Sequence, residues 1–269
     1  MSPVAKKITV GLGLGAITIA MFVAGSLPLA VFAGVVTLVA SGEFFAMIRA
    51  RGTRPVPLVG FAALAFLFVI AYQRGERAPL VFPAVVAGAF AVTAGVMMLR
   101  RRTDGGAAAI AATLLGVVYV GMFGAYIVVM LRMPHGRGLL LGFALMTVLN
   151  DVGSYIVGGW RGRHPLAPSV SPSKTWEGFA GGSVVTLVTA VVVSKAISPP
   201  YTLGRALILA AIVLVAAPVG DLCESMLKRD ADVKDTGTIF PGHGGVLDRL
   251  DSLLIAAPLY FYAWRVLIR

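Results

Sequence analysis

Nine runs of apolar residues, each 17 to 25 residues long, succeed one another from the start of this chain to its end. They cover about 8–25, 27–48, 56–73, 79–99, 107–131, 138–159, 178–198, 204–226 and 252–268. A helix needs about 20 mostly apolar residues to cross a bilayer. In lipid, every backbone N–H and C=O must be satisfied within the structure, which leaves helices as the natural solution for such runs. The expected fold is therefore all-α, a polytopic transmembrane helical bundle of about nine spans. Composition agrees: of 269 residues, 58% are hydrophobic and 13% charged, about half the charge of an ordinary soluble domain. The first span could pass for a secretory signal. It reads as a retained helix, because apolar spans continue to the end and no clear cleavage site stands out. The single cysteine, Cys223, excludes an intrachain disulfide and any multi-cysteine metal site.

Net charge is +11, which in a soluble protein would point to nucleic acid. Here the positions of the charges favour topology, and no nucleic-acid partner is expected. Cytoplasmic loops should hold most Lys and Arg. With the N-terminus inside, fifteen of the 23 basic residues fall on the inner side, among them Arg49, Arg51, Arg54 and Arg100 to Arg102. Nine spans, N-terminus in and C-terminus out, is self-consistent. Two polar loops, 160–177 and 227–251, then face the cytoplasm. The chain divides into an N-terminal transmembrane region, 1–137, and a C-terminal catalytic region, 138–269, bearing both loops.

Chemistry concentrates in that second region. Of twelve acidic residues, seven lie between Asp221 and Asp251. Asp221 and Glu224 are three apart at the end of an apolar helix and share a face; Asp248 and Asp251 repeat that spacing at the start of the last span. Carboxylates near membrane depth are costly and point to function; the plainer alternative is a structural knot with Lys228, Arg229 and Arg249. Between them stand Lys228, Arg229, Lys234, His243 and the run Pro241 to Gly245. Glycines let a backbone approach a ligand closely, and exposed amides with neighbouring cations suit phosphate oxygens. Carboxylates among phosphate-binding cations imply Mg²⁺. Together these residues describe metal-dependent phosphoryl or nucleotidyl transfer. The loop before adds Ser171, Ser173, Lys174 and Thr175, a second phosphate-binding group or an ordinary helix entry, with Ser173 or Thr175 as N-cap and Glu177 in the first turn. Asp151 is a third buried acid, suited to an Arg, a substrate or a metal. Glu43 is expected to be structural, and His135, His164 and Cys223 unremarkable.

The run Ser225 to Asp251, SMLKRDADVKDTGTIFPGHGGVLDRLD, resembles the signature of the phosphatidate cytidylyltransferases, also called CDP-diglyceride synthases. The pattern is Ser-x-apolar-Lys-Arg, four residues, Lys-Asp-x-Gly, then His-Gly-Gly-apolar-x-Asp-Arg-apolar-Asp. SPSKTWEG, Ser171 to Gly178, and the stretch from Asp151 to Gly158 are similar to further motifs of that family, in the usual order. One departure is Ser173, where many members have a second Lys, so Lys174 is the only cation of its motif. The resemblance implies a multi-pass enzyme of the cell (inner) membrane, a homodimer, that converts CTP and phosphatidic acid to CDP-diacylglycerol and pyrophosphate with Mg²⁺, a second cation being an option. It makes Asp221 and Asp248 the metal ligands, with Glu224 and Asp251 beside them. Lys228, Arg229, Lys234 and His243 take catalytic roles. Ser171, Ser173, Lys174, Thr175, Asp151, Gly244, Gly245 and Arg249 bind nucleotide and lipid phosphate, where membrane lipid is itself a partner. Two rivals stand beside this reading: the same chemistry on another lipid phosphate, and an ion-coupled transporter using Asp151, Asp221 and Glu224.

Overall fold

The computed structural model describes residues 3–101, 104–240 and 244–268. The chain is a series of helices: α1 (Pro3–Ala24), α2 (Ser26–Ala50), α3 (Pro57–Arg74), α4 (Phe82–Leu99), α5 (Gly106–Leu115), α6 (Phe123–Leu131), α7 (Gly136–Arg161), α8 (Trp176–Ala196), α9 (Leu203–Asp230) and α10 (Leu247–Ala263). A π-helical stretch, Gly116–Met122, joins α5 and α6 into one rod. Each expected span coincides with one helix or one such rod. Seven are long and apolar enough to cross a membrane, from Ser26–Ala50 to Leu203–Asp230. Among described residues α1 offers only the shorter apolar piece Gly15–Ala24, and α10 has 17 residues. The boundary between α1 and α2 is Gly25 at φ 116, a conformation that suits glycine, and it makes the tight hairpin expected near Ser26.

The chain forms two compact units, Met1–Met133 with Asp230–Leu250, and Pro134–Arg229 with Asp251–Arg269. In the first, the aromatic pair Phe44 and Phe45 of α2 is buried, 0% and 1% exposed. Phe45 fills the space that side chains would need at Gly60 of α3 and Gly116 of the π-helical stretch; a Cβ at Gly116 would lie 2.6 Å from its ring. Small residues here let one large ring wedge between helices, the packing that lipid-embedded helices favour. The Thr113 hydroxyl accepts the Val56 amide at 2.9 Å, satisfying an N–H ahead of α3.

In the second unit α7 and α8 run antiparallel in close contact. Residues 158, 154 and 150 of α7 face 178, 182 and 186 of α8. A Cβ at Gly178 would meet the Ser154 carbonyl oxygen and the Gly158 Cα, and one at Gly182 would meet Ser154 Oγ. Asn150 Nδ2 donates to Thr186 Oγ1 at 2.9 Å. The connection, expected as a loop over 160–177, contains a two-stranded antiparallel hairpin, β1 (Pro165–Ala167) and β2 (Ser171–Thr175), with Pro165 opposite Thr175 and Ala167 opposite Ser171. Farther along, Tyr201 OH donates to the Leu139 carbonyl at 2.7 Å and meets Tyr260 OH at 2.5 Å. Both rings are buried, so their polar ends find partners inside.

Candidate active site

In α9, Ala217, Asp221, Glu224 and Lys228 recur at helical spacing, so an apolar stripe becomes a charged one within two turns. Gly220, on the same helix, has no side chain because the Asp251 carbonyl oxygen of α10 lies where a Cβ would be, at 2.5 Å. That close approach brings a third acid to the pair. Asp221, Glu224 and Asp251 each offer a carboxylate oxygen, and these oxygens lie within 4.8 Å of one another. Glu224 is fully buried. Two ammonium groups offset the cluster: Lys228 Nζ is 3.0 Å from Glu224 Oε2, and Lys174 Nζ is 2.5 Å from Asp221 Oδ2. Ser225 Oγ donates to Asp221 Oδ1 at 3.4 Å, and Asp251 Oδ1 accepts the Ser252 amide at 2.7 Å.

Lys174 reaches Asp221 from β2, and the hairpin is pinned at both ends. Thr175 is the N-cap of α8, its hydroxyl accepting from the Gly178 amide at 3.1 Å. Glu177 accepts the backbone amides of Arg163 and His164 and pairs with His164 Nδ1 at 2.5 Å, so His164 has a part in closing the hairpin that its sequence position did not suggest. Arg229 Nε donates to the Val170 carbonyl at 3.3 Å, holding the turn. Under the hairpin lies a cavity of about 470 Å³, lined among others by Asp151, Ser154, Ser171, Ser173, Lys174 and Asp221. Thr175 also lines it. The structure thus gathers Ser171, Ser173, Lys174 and Thr175, with Asp151 and one edge of the acid cluster, around a single space large enough for part of a nucleotide. The Asn150 side chain, which sequence alone did not single out, lines the same cavity; its Oδ1 is buried and takes no hydrogen bond.

The signature loop belongs to the first unit. Asp248, in the first turn of α10, is not one of the three clustered acids. Its Oδ2 accepts the Thr236 amide at 2.9 Å, the Thr236 hydroxyl at 2.9 Å and the Gly245 amide at 2.7 Å. Gly244 has φ +78, and a Cβ there would lie 2.5 Å from Asp248 Oδ2. The glycines of this run therefore wrap around a carboxylate of the protein itself, a use that the sequence pattern alone does not distinguish from wrapping a phosphate. Glu43 of α2 lies on the same loop: its Oε2 accepts the Leu247 amide at 2.8 Å. Lys234 and Arg249 are exposed. His243, with Pro241 and Gly242, lies outside the described residues.

Comparison with known proteins gives the context. The model of the cytidylyltransferase family matches residues 5–267. A phosphatidate cytidylyltransferase of Mycobacterium tuberculosis is 32% identical over 97% of this chain and 81% of its own length. One from Bacillus subtilis is 38% identical over 55% of each chain, and one from Staphylococcus saprophyticus is 40% identical over 54% of this chain and 55% of its own. A family match spanning nearly every residue, over a chain whose acids, lysines and serines converge as described, shows that this chain belongs to the cytidylyltransferase family.

Proposed function

We propose that this chain transfers the cytidylyl group of CTP to phosphatidic acid, giving CDP-diacylglycerol and pyrophosphate, in phospholipid biosynthesis. The observation that carries this is the pair of lysine ammonium groups, Lys174 and Lys228, held on two of three clustered carboxylates beside a cavity lined by Ser171 and Ser173.

The reaction joins two polyanions. A phosphate oxygen of phosphatidic acid, anionic at pH 7, forms a bond to the α-phosphorus of CTP. The bond from that phosphorus to the bridging oxygen breaks, and its electron pair leaves with pyrophosphate. The nucleophile needs no strong base, so the task of the site is neutralisation and alignment. Lys174 and Lys228 supply positive charge, and the Ser171, Ser173 and Thr175 hydroxyls supply donors for phosphate oxygens. Asp221, Glu224 and Asp251 are an all-oxygen, hard donor set, which fits Mg²⁺. Bound there, the ion would draw charge from the triphosphate and leave the two ammonium groups to phosphate oxygens. The family signature also makes Asp248 a metal ligand, and Lys234, His243, Gly244 and Arg249 nucleotide and lipid-phosphate contacts; Gly245, whose amide Asp248 takes, is not among them. We place the enzyme in the inner membrane as a homodimer, its site open to cytoplasmic CTP while acyl chains stay in lipid.

The test is release of pyrophosphate by purified protein with CTP and Mg²⁺, in separate reactions with phosphatidic acid, a polyprenyl phosphate and an ether-lipid phosphate. Turnover with phosphatidic acid at least tenfold above the others supports the reading. A preference for another lipid phosphate would move the substrate, and no CTP-dependent release with any of them would end the proposal.

A further inference from the structure

Glu43 is the acid that sequence position least connects to the reaction. It sits on α2, 193 residues before Thr236 and 204 before Leu247. Yet it is buried, 8% exposed, and its surroundings are the signature loop. Oε2 accepts the Leu247 amide at 2.8 Å. The Thr236 hydroxyl, whose single hydrogen goes to Asp248 at 2.9 Å, lies 3.5 Å from the same oxygen. Two signature glycines close around the carboxylate. A Cβ at Gly245 would stand 2.6 Å from its Cδ and Oε1; one at Gly237 would stand 2.8 Å from its Cδ and nearer still to Oε1. Oε1 is buried and takes no hydrogen bond. A helix end needs an acceptor for an amide, but a Ser, Asn or Asp of the loop would supply one locally. A distant carboxylate with one oxygen left over does something else: it fills, and so fixes, the space inside the loop.

We infer that Glu43 is a positioning residue for the signature loop, a post around which Gly237 and Gly245 are shaped. It works with Asp248, which does the same for Gly244 and holds the Thr236 and Gly245 amides. Two carboxylates thus set the backbone at Thr236, Gly237, Gly244, Gly245 and Leu247 from within. Lys234 and Arg249 flank the residues that these carboxylates hold, and the two cations can meet a nucleotide together only if that backbone has one shape. Glu43 then governs turnover without touching substrate. This inference rests on the cytidylyltransferase reading for its kinetic part alone.

The geometry makes a specific demand: Glu43 and Gly245 must behave as one unit. Gly245→Ala pushes a methyl group into the Glu43 carboxylate, and Glu43→Ala empties the space that this methyl group would enter. Expected with CTP and phosphatidic acid is a fall in kcat of at least tenfold for each single variant. The double variant should be no slower than the worse single one, because the second change fits the space left by the first. Glu43→Gln keeps an acceptor of the same shape and should keep most of the activity, while Glu43→Asp, one methylene short, should not. The loop is read independently of catalysis by a cysteine at Val246, which is 6% exposed, in a Cys223→Ala background. Its labelling by a thiol reagent should be at least tenfold faster with Glu43→Ala, in protein whose thermal unfolding remains cooperative. If the kcat losses multiply in the double variant, or if labelling at 246 is unchanged by Glu43→Ala, the positioning role is overturned. If wild-type protein lacks the transferase activity while the labelling result holds, the enzymatic reading fails and the loop-post role stands.

Discussion

Lys174→Ala removes one ammonium group from a cluster whose charge is otherwise three carboxylates and one lysine. Carboxylate oxygens within 4.8 Å of one another repel by about 3.5 kcal/mol per pair at an effective dielectric of 20. Lys174, 2.5 Å from Asp221, offsets part of that. Breaking a buried pair costs roughly 3–5 kcal/mol. Here the two side chains are 22% and 32% exposed, so water screens part of the loss, and about 1–3 kcal/mol is expected. The change should be visible as a lower unfolding temperature in detergent without divalent cations. Mg²⁺ should then stabilise the variant more than the wild type, because a competitor for Asp221 has gone. At a concentration of 100 times Kd, a bound ion adds about 2.7 kcal/mol, enough to restore the loss.

Turnover should move the other way, since Mg²⁺ cannot replace a cation aimed at phosphate. Loss of one positioned charge or donor in the transition state costs about 2.7–4 kcal/mol, roughly 10²–10³ in rate. The expected kcat/KM of Lys174→Ala is lower by that factor at saturating Mg²⁺. Lys174→Arg should retain part of it, as the charge remains but the fork is a different shape. Ser173 brings no second charge to the motif, so no neighbour takes over. The assay is pyrophosphate release against CTP and against lipid, beside thermal unfolding at graded Mg²⁺. Wild-type kinetics in both substrates, together with the same Mg²⁺ stabilisation in variant and wild type, would refute the assignment and return Lys174 to the class of surface substitutions within about 0.5 kcal/mol of neutral.

Two further outcomes are expected. Gly182→Ala places a methyl group against Ser154 Oγ and the Asn150 carbonyl oxygen; overpacking of this kind costs about 1–3 kcal/mol, so its unfolding temperature should fall while Gly159→Ala, with open space around it, stays within a degree or two of wild type. A cysteine at Ser169 in a Cys223→Ala background should label only from the cytoplasmic side of sealed vesicles, and labelling only from the outside would overturn the orientation and the entry route for CTP.

The helices were readable because lipid imposes one rule on every span: enough apolar residues in a row. Val56, Gly116 and Phe45 show where that rule stops. Nothing in the sequence GVVYVGM distinguishes a π-helical stretch from ordinary helix; the surrounding packing includes a ring of α2 wedged against Gly116, a contact spanning 71 positions. The 160–177 segment was legible as polar and Pro-punctuated, but its strands are three and five residues long, too short for an alternating pattern. What makes them a hairpin is Glu177 and Thr175 fixing one end and Arg229, from another helix, holding the turn.

The site divides along the same line between local and distant. Asp221 and Glu224 were legible as one face because helical spacing is a local property; Lys228 was expected in the loop from 227, and it joins that face because α9 runs on to Asp230. Asp251 joins them through Gly220, whose missing side chain admits the α10 backbone, and no spacing rule predicts which glycine does this. Glycine is the common cause of the remaining blind spots. Gly237, Gly244 and Gly245 look alike in sequence, as places where a backbone comes near something. Phosphate was the expected neighbour, yet in this structure carboxylates of Glu43 and Asp248 stand there. A glycine reports that space is taken but not by whom, and an occupant some 200 residues away leaves no mark in the local pattern. The two occupants resemble phosphate in one respect that matters: each accepts loop amides that a phosphate would otherwise claim, Asp248 from Thr236 and Gly245, Glu43 from Leu247. Any contact between this loop and CTP must therefore come from its side chains, Lys234 and Arg249 among them, or from amides other than these three.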